Sequence, residues 1–216
     1  MAQQQGDAEE KPTMRLFWSS RSPFVRKVMV TAHELGLTSQ IATQRVAVGI
    51  VRLDDDLMAA NPLNKIPTLV TREGEALFDS RVICAYLDSI ADEPRLFPLD
   101  KNRWQSLRMQ ALADGMMELL TLRLFENIRP EGKQWDAVHG AARTKIAAVC
   151  DHADARIAQE DGPIHIGHIA LACALAHCDF RFGADEWRTG RPGLTAWYET
   201  IRFRPSMVAT AYEDVY

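Results

Sequence analysis

The chain has 216 residues, room for one large domain or two small ones. Its 29 acidic and 25 basic residues leave a net charge of −4, so no basic excess is available to hold a phosphate backbone, which argues against nucleic acid as main partner. An apolar fraction of 47% and a charged fraction of 25% suit a chain that buries a core, and no run approaches the ~20 apolar residues of a membrane span.

Met1 to Pro12 is Gln-rich and charged with no apolar h-region, so residues 1–13 are expected to be a disordered leader and not a signal peptide. Met14–Trp18 is a compact apolar run suited to a buried strand. From Pro23 to Leu35 the period becomes helical, with Phe24, Val28 and Leu35 on a face with Val25, Met29 and Ala32, and Gly36 as the C-terminal stop. Ile41 to Val48 alternates as a second strand, and Asp54 to Ala60 has room for one or two helical turns. Thr68–Thr71 and Ala76–Phe78 flank a Gly-containing turn and read as a hairpin. Asp79-Ser80 then opens a helix carrying Val82, Ile83, Tyr86 and Leu87.

After Pro94 and Pro98 the strand signals stop. A long helical pattern runs from Asn102 to about Asn127 through Trp104, Leu107, Ala111, Leu112, Met116, Leu119 and Leu122. Trp135–Ala158 supplies another helix, Ile166–Phe180 a buried one rich in small residues, and Leu194–Phe203 a last one ended by Arg204-Pro205. The order is β-α-β, β-β-α, then an all-helical half. Cys84, Cys150, Cys173 and Cys178 form no C-x-x-C pair, which speaks against a disulfide frame or zinc knuckle and for a cytoplasmic protein.

Three short segments carry chemistry. Ser22-Pro23-Phe24 places a hydroxyl where the first helix begins, beside free backbone N–H groups and the positive end of the helix dipole, a place that stabilises a thiolate or other anion. The same serine also suits plain N-capping, with Pro23 at N1. In Asn61-Pro62-Leu63-Asn64-Lys65-Ile66-Pro67-Thr68-Leu69, a proline stands at the mouth of a strand. A cis Ile66–Pro67 bond would offer the Ile66 backbone to an extended peptide ligand, whereas a trans bond makes an ordinary turn. Asp79-Ser80 can read an ammonium and a carboxylate together, or merely cap a helix.

In this order and spacing, the three segments resemble the glutathione transferase family. So do Ala170-Leu171-Ala172-Cys173 through Asp179-Phe180-Arg181, and Arg204-Pro205-Ser206, in the helical half. The resemblance, which runs from Met14 to Thr210, implies a thioredoxin-like domain over residues 14–92 followed by a helical-bundle domain over 99–216. It implies that Ile66, before a cis Pro67, pairs with the cysteinyl backbone of glutathione, that Asp79 and Ser80 hold its γ-glutamyl head, and that Ser22 activates the sulfur. Arg52 is the candidate for the glycyl carboxylate, with Arg45 or Lys65 as alternatives, and Ser19 and Ser20 crowd the Ser22 loop. Trp18, Phe24, Met109, Leu112 and Met116 are the candidates for lining an apolar electrophile's site, although such a stripe also suits a core.

The implied reaction is attack of the glutathione thiolate on that electrophile, in a detoxifying homodimer that uses glutathione as co-substrate and no metal. A zeta-like glutathione-dependent isomerase is the enzymatic alternative, although its Ser-Ser-Cys signature is not met by Ser19-Ser20-Arg21. A non-catalytic relative used for protein contacts is the other. The family's Ser/Thr-x-x-Asp helix cap is replaced by His165-Ile166-Gly167-His168, in which an imidazole nitrogen can accept the capping hydrogen bond. A metal at this H-x-x-H has no further ligand nearby in sequence.

Overall fold

The structure is a computed structural model that describes residues 13–93, 96–158 and 162–215. The leader expected over residues 1–13 lies, apart from Thr13, outside the described residues. The elements run β1 (Met14–Trp18), α1 (Pro23–Glu34), β2 (Ile41–Arg45), α2 (Asp55–Ala60), β3 (Thr68–Val70), β4 (Ala76–Leu77) and α3 (Ser80–Ile90). The helices α4 (Arg103–Asn127), α5 (Asp136–Ile157), α6 (Ile166–Phe182), α7 (Pro192–Ile201) and α8 (Pro205–Ala209) follow. Among the described residues no helix is long and apolar enough to cross a membrane.

The sheet order is β2-β1-β3-β4, with β1 and β2 parallel and β3 antiparallel to both of its neighbours. Because β2 is an edge strand, only Ile41 in it is buried, and it stops at Arg45 where the next amide, Val46, closes the ladder on the Trp18 carbonyl. The second strand is therefore shorter than the alternation to Val48 suggests. Helix α1 ends in a Schellman motif: Leu37 N–H donates to the Ala32 carbonyl and Gly36 N–H to that of His33, with Gly36 at φ 68°.

Helix α1 is buried on nearly every side, between the sheet and the helical half. Two of its cations go under with it. The Lys27 ammonium lies 2.6 Å from Asp114 of α4, both side chains essentially without solvent exposure, and Arg81 of α3 takes the other Asp114 oxygen at 2.8 Å. In α4 the residues turned inward include Ser106, Gln110, Asp114 and Arg123 beside Met116, Met117 and Leu120, whereas Trp104 is 74% and Leu122 47% exposed. The apolar stripe through Trp104 and Leu122 is therefore not the packed face. Close approach to α6 and the polar contact to α1 set the register instead. At Gly167 a Cβ would stand 2.7 Å from the Ser106 carbonyl oxygen, so the α4–α6 crossing needs a residue without one.

Helix α6 starts on an imidazole. His165 Nδ1 accepts the His168 amide at 3.3 Å, and the two rings stack with centroids 3.7 Å apart. This is the capping role open to the His-x-x-His sequence. The chain also adds α8 after Arg204, beyond the point where the sequence places its last helix; Pro205 at its first turn begins this helix as well as ending the one before.

Two predictions follow from the interior. Asp114→Asn leaves Lys27 buried without a counter-charge and should cost about 3–5 kcal/mol, whereas Lys27→Met combined with Asp114→Leu should recover most of that loss; urea unfolding of the three proteins measures both. The second concerns pH. Burial pushes His168 and His177 down to about 3, with the charges of His165 and of Arg181 respectively adding to the effect. Both must therefore be neutral when folded, so their contribution is complete above the unfolded pKa near 6.5 and is lost as pH falls towards 3. Between those limits each should remove about 1.4 kcal/mol of stability per pH unit, read as a falling denaturation midpoint that His177→Phe makes shallower.

Candidate functional site

The sheet topology brings four chain segments to one edge. β1 ends where its antiparallel neighbour β3 begins, with Phe17 opposite Thr68, so the Ser19–Ser22 loop lies beside Ile66-Pro67. β4 ends where β3 begins, which carries Asp79-Ser80 to the same edge. β2 runs parallel to β1 and sends the loop holding Arg52 there too. The N-termini of α1 and α3 both open on this edge, and their unpaired N–H groups and dipoles favour an anion.

Ser22 is the N-cap of α1, its Oγ accepting the Val25 amide at 3.3 Å. Capping uses a lone pair of the hydroxyl and leaves its hydrogen free to donate, so the capping role does not exclude a role towards a ligand. Its neighbours are placed differently. Ser20 Oγ donates to the Glu213 carbonyl at 3.0 Å, and Ser19 Oγ accepts the Arg21 amide at 3.4 Å.

The Ile66–Pro67 bond is cis, as the resemblance implies. Two buried asparagines shape the approach to it. Asn61 Nδ2 donates to Thr68 Oγ1 and to the Lys65 carbonyl, and Asn64 donates to the Arg52 carbonyl while accepting the Asp54 amide. Asn64 takes a left-handed φ of 51°, which asparagine tolerates better than most residues. The sequence reading passed over both, although Asn at either end of an Asn-Pro-x-Asn run is a turn signal. The cap of α3 is Asp79, whose carboxylate accepts the Arg81 amide at 2.9 Å, and Ser80 is its buried first residue.

Of the three basic candidates at this edge, Arg45 is engaged: its guanidinium lies 4.7 Å from the Trp18 ring centroid and donates to the Val215 carbonyl. Arg52 and Lys65 are exposed, and the Arg52 loop is tied to the Asn61–Pro67 segment through Asn64.

The five residues expected around an electrophile do not form one pocket. Trp18 lines a cleft of about 130 Å³ with Ser19, Ser20, Met29 and the tail from Ala209 to Glu213. Phe24 is half-buried against the main core, and Met116 is inside it, fully covered, so it cannot line an open site. Met109 and Leu112 line a separate cleft of about 420 Å³ between α4, α5 and α6, with Arg108, His152 and Arg156 at its walls. The helical stripe was a core signal for Met116 and a surface signal for the other two. Among the described residues no group of three or more His, Cys, Asp or Glu is arranged to hold a metal.

Comparison with known proteins agrees with this arrangement. Residues 21–90 match the glutathione S-transferase N-terminal domain and residues 121–200 the C-terminal domain. The chain is 32% identical to the uncharacterized GST-like protein YibF of Escherichia coli (strain K12), over 91% of this chain and 98% of that one. It is 40% identical to a glutathione transferase family member from Pseudomonas fluorescens Pf-5, solved with bound glutathione, at a TM-score of 0.90 over 93% of this chain and all of that one. A second structure of a family member from that strain, with bound S-(propanoic acid)-glutathione, superimposes with a TM-score of 0.85 over 92% and 99% of the two chains. With its β-α-β-α-β-β-α sheet half, its cis proline and its helical second half, this chain belongs to the glutathione S-transferase family.

Proposed function

We propose that this protein binds glutathione along the sheet edge and uses the Ser22 hydroxyl to stabilise the thiolate, which then attacks an electrophile. The observation that carries this reading is the placement of Ser22: a capping hydroxyl with its hydrogen to spare, at the N-terminus of α1, on the same edge as Ile66, Asp79 and Ser80. The bound glutathione of the Pseudomonas relative supports the choice of ligand. In this reading the Ile66 backbone pairs with the cysteinyl unit, Asp79 takes the γ-glutamyl ammonium, Ser80 and the α3 amides take its carboxylate, and Arg52 takes the glycyl carboxylate. The electrophile enters at the cleft beside Trp18 and Met29.

The physical demand on Ser22 is modest. A free thiol ionises near ~8.5, and lowering that by about two units needs roughly 2.7 kcal/mol, within reach of one charge-assisted hydrogen bond and a helix terminus. All four cysteines are buried and free, which fits a reducing, cytoplasmic setting. Exposed Val82 and Ile90 on α3 and Trp104 on α4 fit the homodimer that the family resemblance implies.

Ser22→Ala should raise the pKa of bound glutathione by about one to two units and lower turnover near neutral pH about ten- to a hundredfold, with affinity little changed. The thiolate absorbance of the complex, titrated for both proteins, tests this; superimposable curves would remove Ser22 from the mechanism. Ser80→Ala should weaken glutathione binding by about 1–3 kcal/mol in a protein that still folds, because Asp79 keeps the α3 cap. Calorimetry showing unchanged affinity would place the γ-glutamyl head elsewhere.

A further inference from the structure

After α8 the chain runs back over the Ser19–Ser22 loop. Tyr212 anchors it: its hydroxyl donates to the Cys173 carbonyl, its ring stacks on Phe180 with centroids 5.0 Å apart, and the Arg26 guanidinium lies 4.4 Å from its centroid. Beyond that anchor the contacts are polar. The Glu213 carbonyl accepts Ser20 Oγ, and the Val215 carbonyl accepts Arg45. Between them, Arg181 grips both oxygens of Asp214 at 2.8 and 3.2 Å, and Arg21 stands 3.7 Å from the same carboxylate.

Two guanidiniums thus converge on one carboxylate, and one of them, Arg21, stands between Ser20 and Ser22 in the chain. They are mostly withdrawn from water, at 25% exposure for the Arg21 side chain and 19% for Arg181, while the Asp214 side chain keeps 52%. The Arg181 guanidinium is braced 4.0 Å from the Phe180 ring centroid. Like charges that converge on one point with this little exposure favour an anion between them, and the planar fork suits a carboxylate. The anion present is a tail residue, Asp214, whose side chain stays half exposed. Its carboxyl is kept below the usual range by the Arg181 hydrogen bonds, so it remains an anion at neutral pH. The cleft beside Trp18, Met29, Ala209 and Ala211, of a size for a short apolar body, adjoins the cluster through Ser20 and Glu213, the chain neighbours of Arg21 and Asp214.

We propose that Arg21 and Arg181 form an anion fork that receives the carboxylate of a second substrate with a short apolar body as that substrate becomes joined to glutathione, and that Asp214 is the internal occupant which the conjugate displaces. The inference rests on the glutathione reading above, and it narrows the electrophile from an apolar molecule to an amphipathic acid. A tethered competitor acts at an effective concentration of about millimolar, so a free acid competes poorly. One joined to bound glutathione, as in the conjugate, competes well because its other half is already held.

The test compares glutathione, S-butylglutathione and S-(3-carboxypropyl)glutathione by calorimetry. The acid should bind about tenfold more tightly than the butyl thioether, Arg181→Gln should erase that preference, and Asp214→Asn should enlarge it. Equal affinities for the two thioethers in Asp214→Asn, where the internal anion is gone, would overturn the fork while leaving the glutathione site intact. If glutathione and both thioethers fail to bind, the glutathione reading falls. The fork is then read alone, by amide hydrogen exchange of residues 210–215 in about 50 mM 3-phenylpropanoate or 3-phenylpropanamide, well above that effective concentration. Faster exchange with the acid only supports the fork, and equal exchange overturns it.

Discussion

The Asp114 carboxylate, buried between Lys27 and Arg81, ties α4 to α1 and α3 and so decides how the two halves of this protein meet. A buried ammonium is tolerable only beside its counter-charge, so any other docking of the helical half leaves Lys27 stranded at a cost of several kcal/mol. Helix α1 repeats the device at its other contacts. Arg26 donates to the Met207 carbonyl, and Glu34 receives a two-pronged bond from Arg204. Apolar packing alone would allow the halves to slide; these polar links, each with one geometry, do not. The site inherits that fixity, since Ser22 caps the start of α1 and α3 begins at Ser80.

The sheet contributes the rest by topology alone. A parallel pair followed by two antiparallel pairings delivers the ends of β1, β2 and β4 and the start of β3 to one edge. Two helix N-termini therefore open beside each other with their amides directed at the same region. An anionic tripeptide needs little more than such an edge, a backbone partner and a few side chains to orient it. The chain's acidic net charge is no obstacle, because Arg21, Arg45 and Arg181 stand where the tail and the loops meet.

What the sequence disclosed depended on how local the cause was. Ser22, Gly36 and Asp79 act on their own helices within three residues, so capping rules found them. The strand order was legible because β-α-β and hairpin spacings leave few alternatives. Lys27 was invisible: a lysine on a helix is ordinarily solvated, and only contact with α4 buries it. Likewise the period in α4 pointed to Trp104 and Leu122, while the packed face carries Ser106, Gln110 and Asp114 with partners far along the chain. The arginines around Asp214 join residues 21 and 181 to the tail, a relation that no window of sequence contains.

The tail's course also has a practical side. Because Glu213, Asp214 and Val215 are pinned to Ser20, Arg181 and Arg45, residues 213–215 are delivered to the rim of the sheet edge that carries Ser22. An affinity tag or fluorescent fusion appended there is not a bystander. It places foreign charge and bulk beside the Ser19–Ser22 loop and pulls on the very segment that covers it. Handles for purification or immobilisation belong on a surface far from that rim, where attachment leaves residues 210–215 to take their own path.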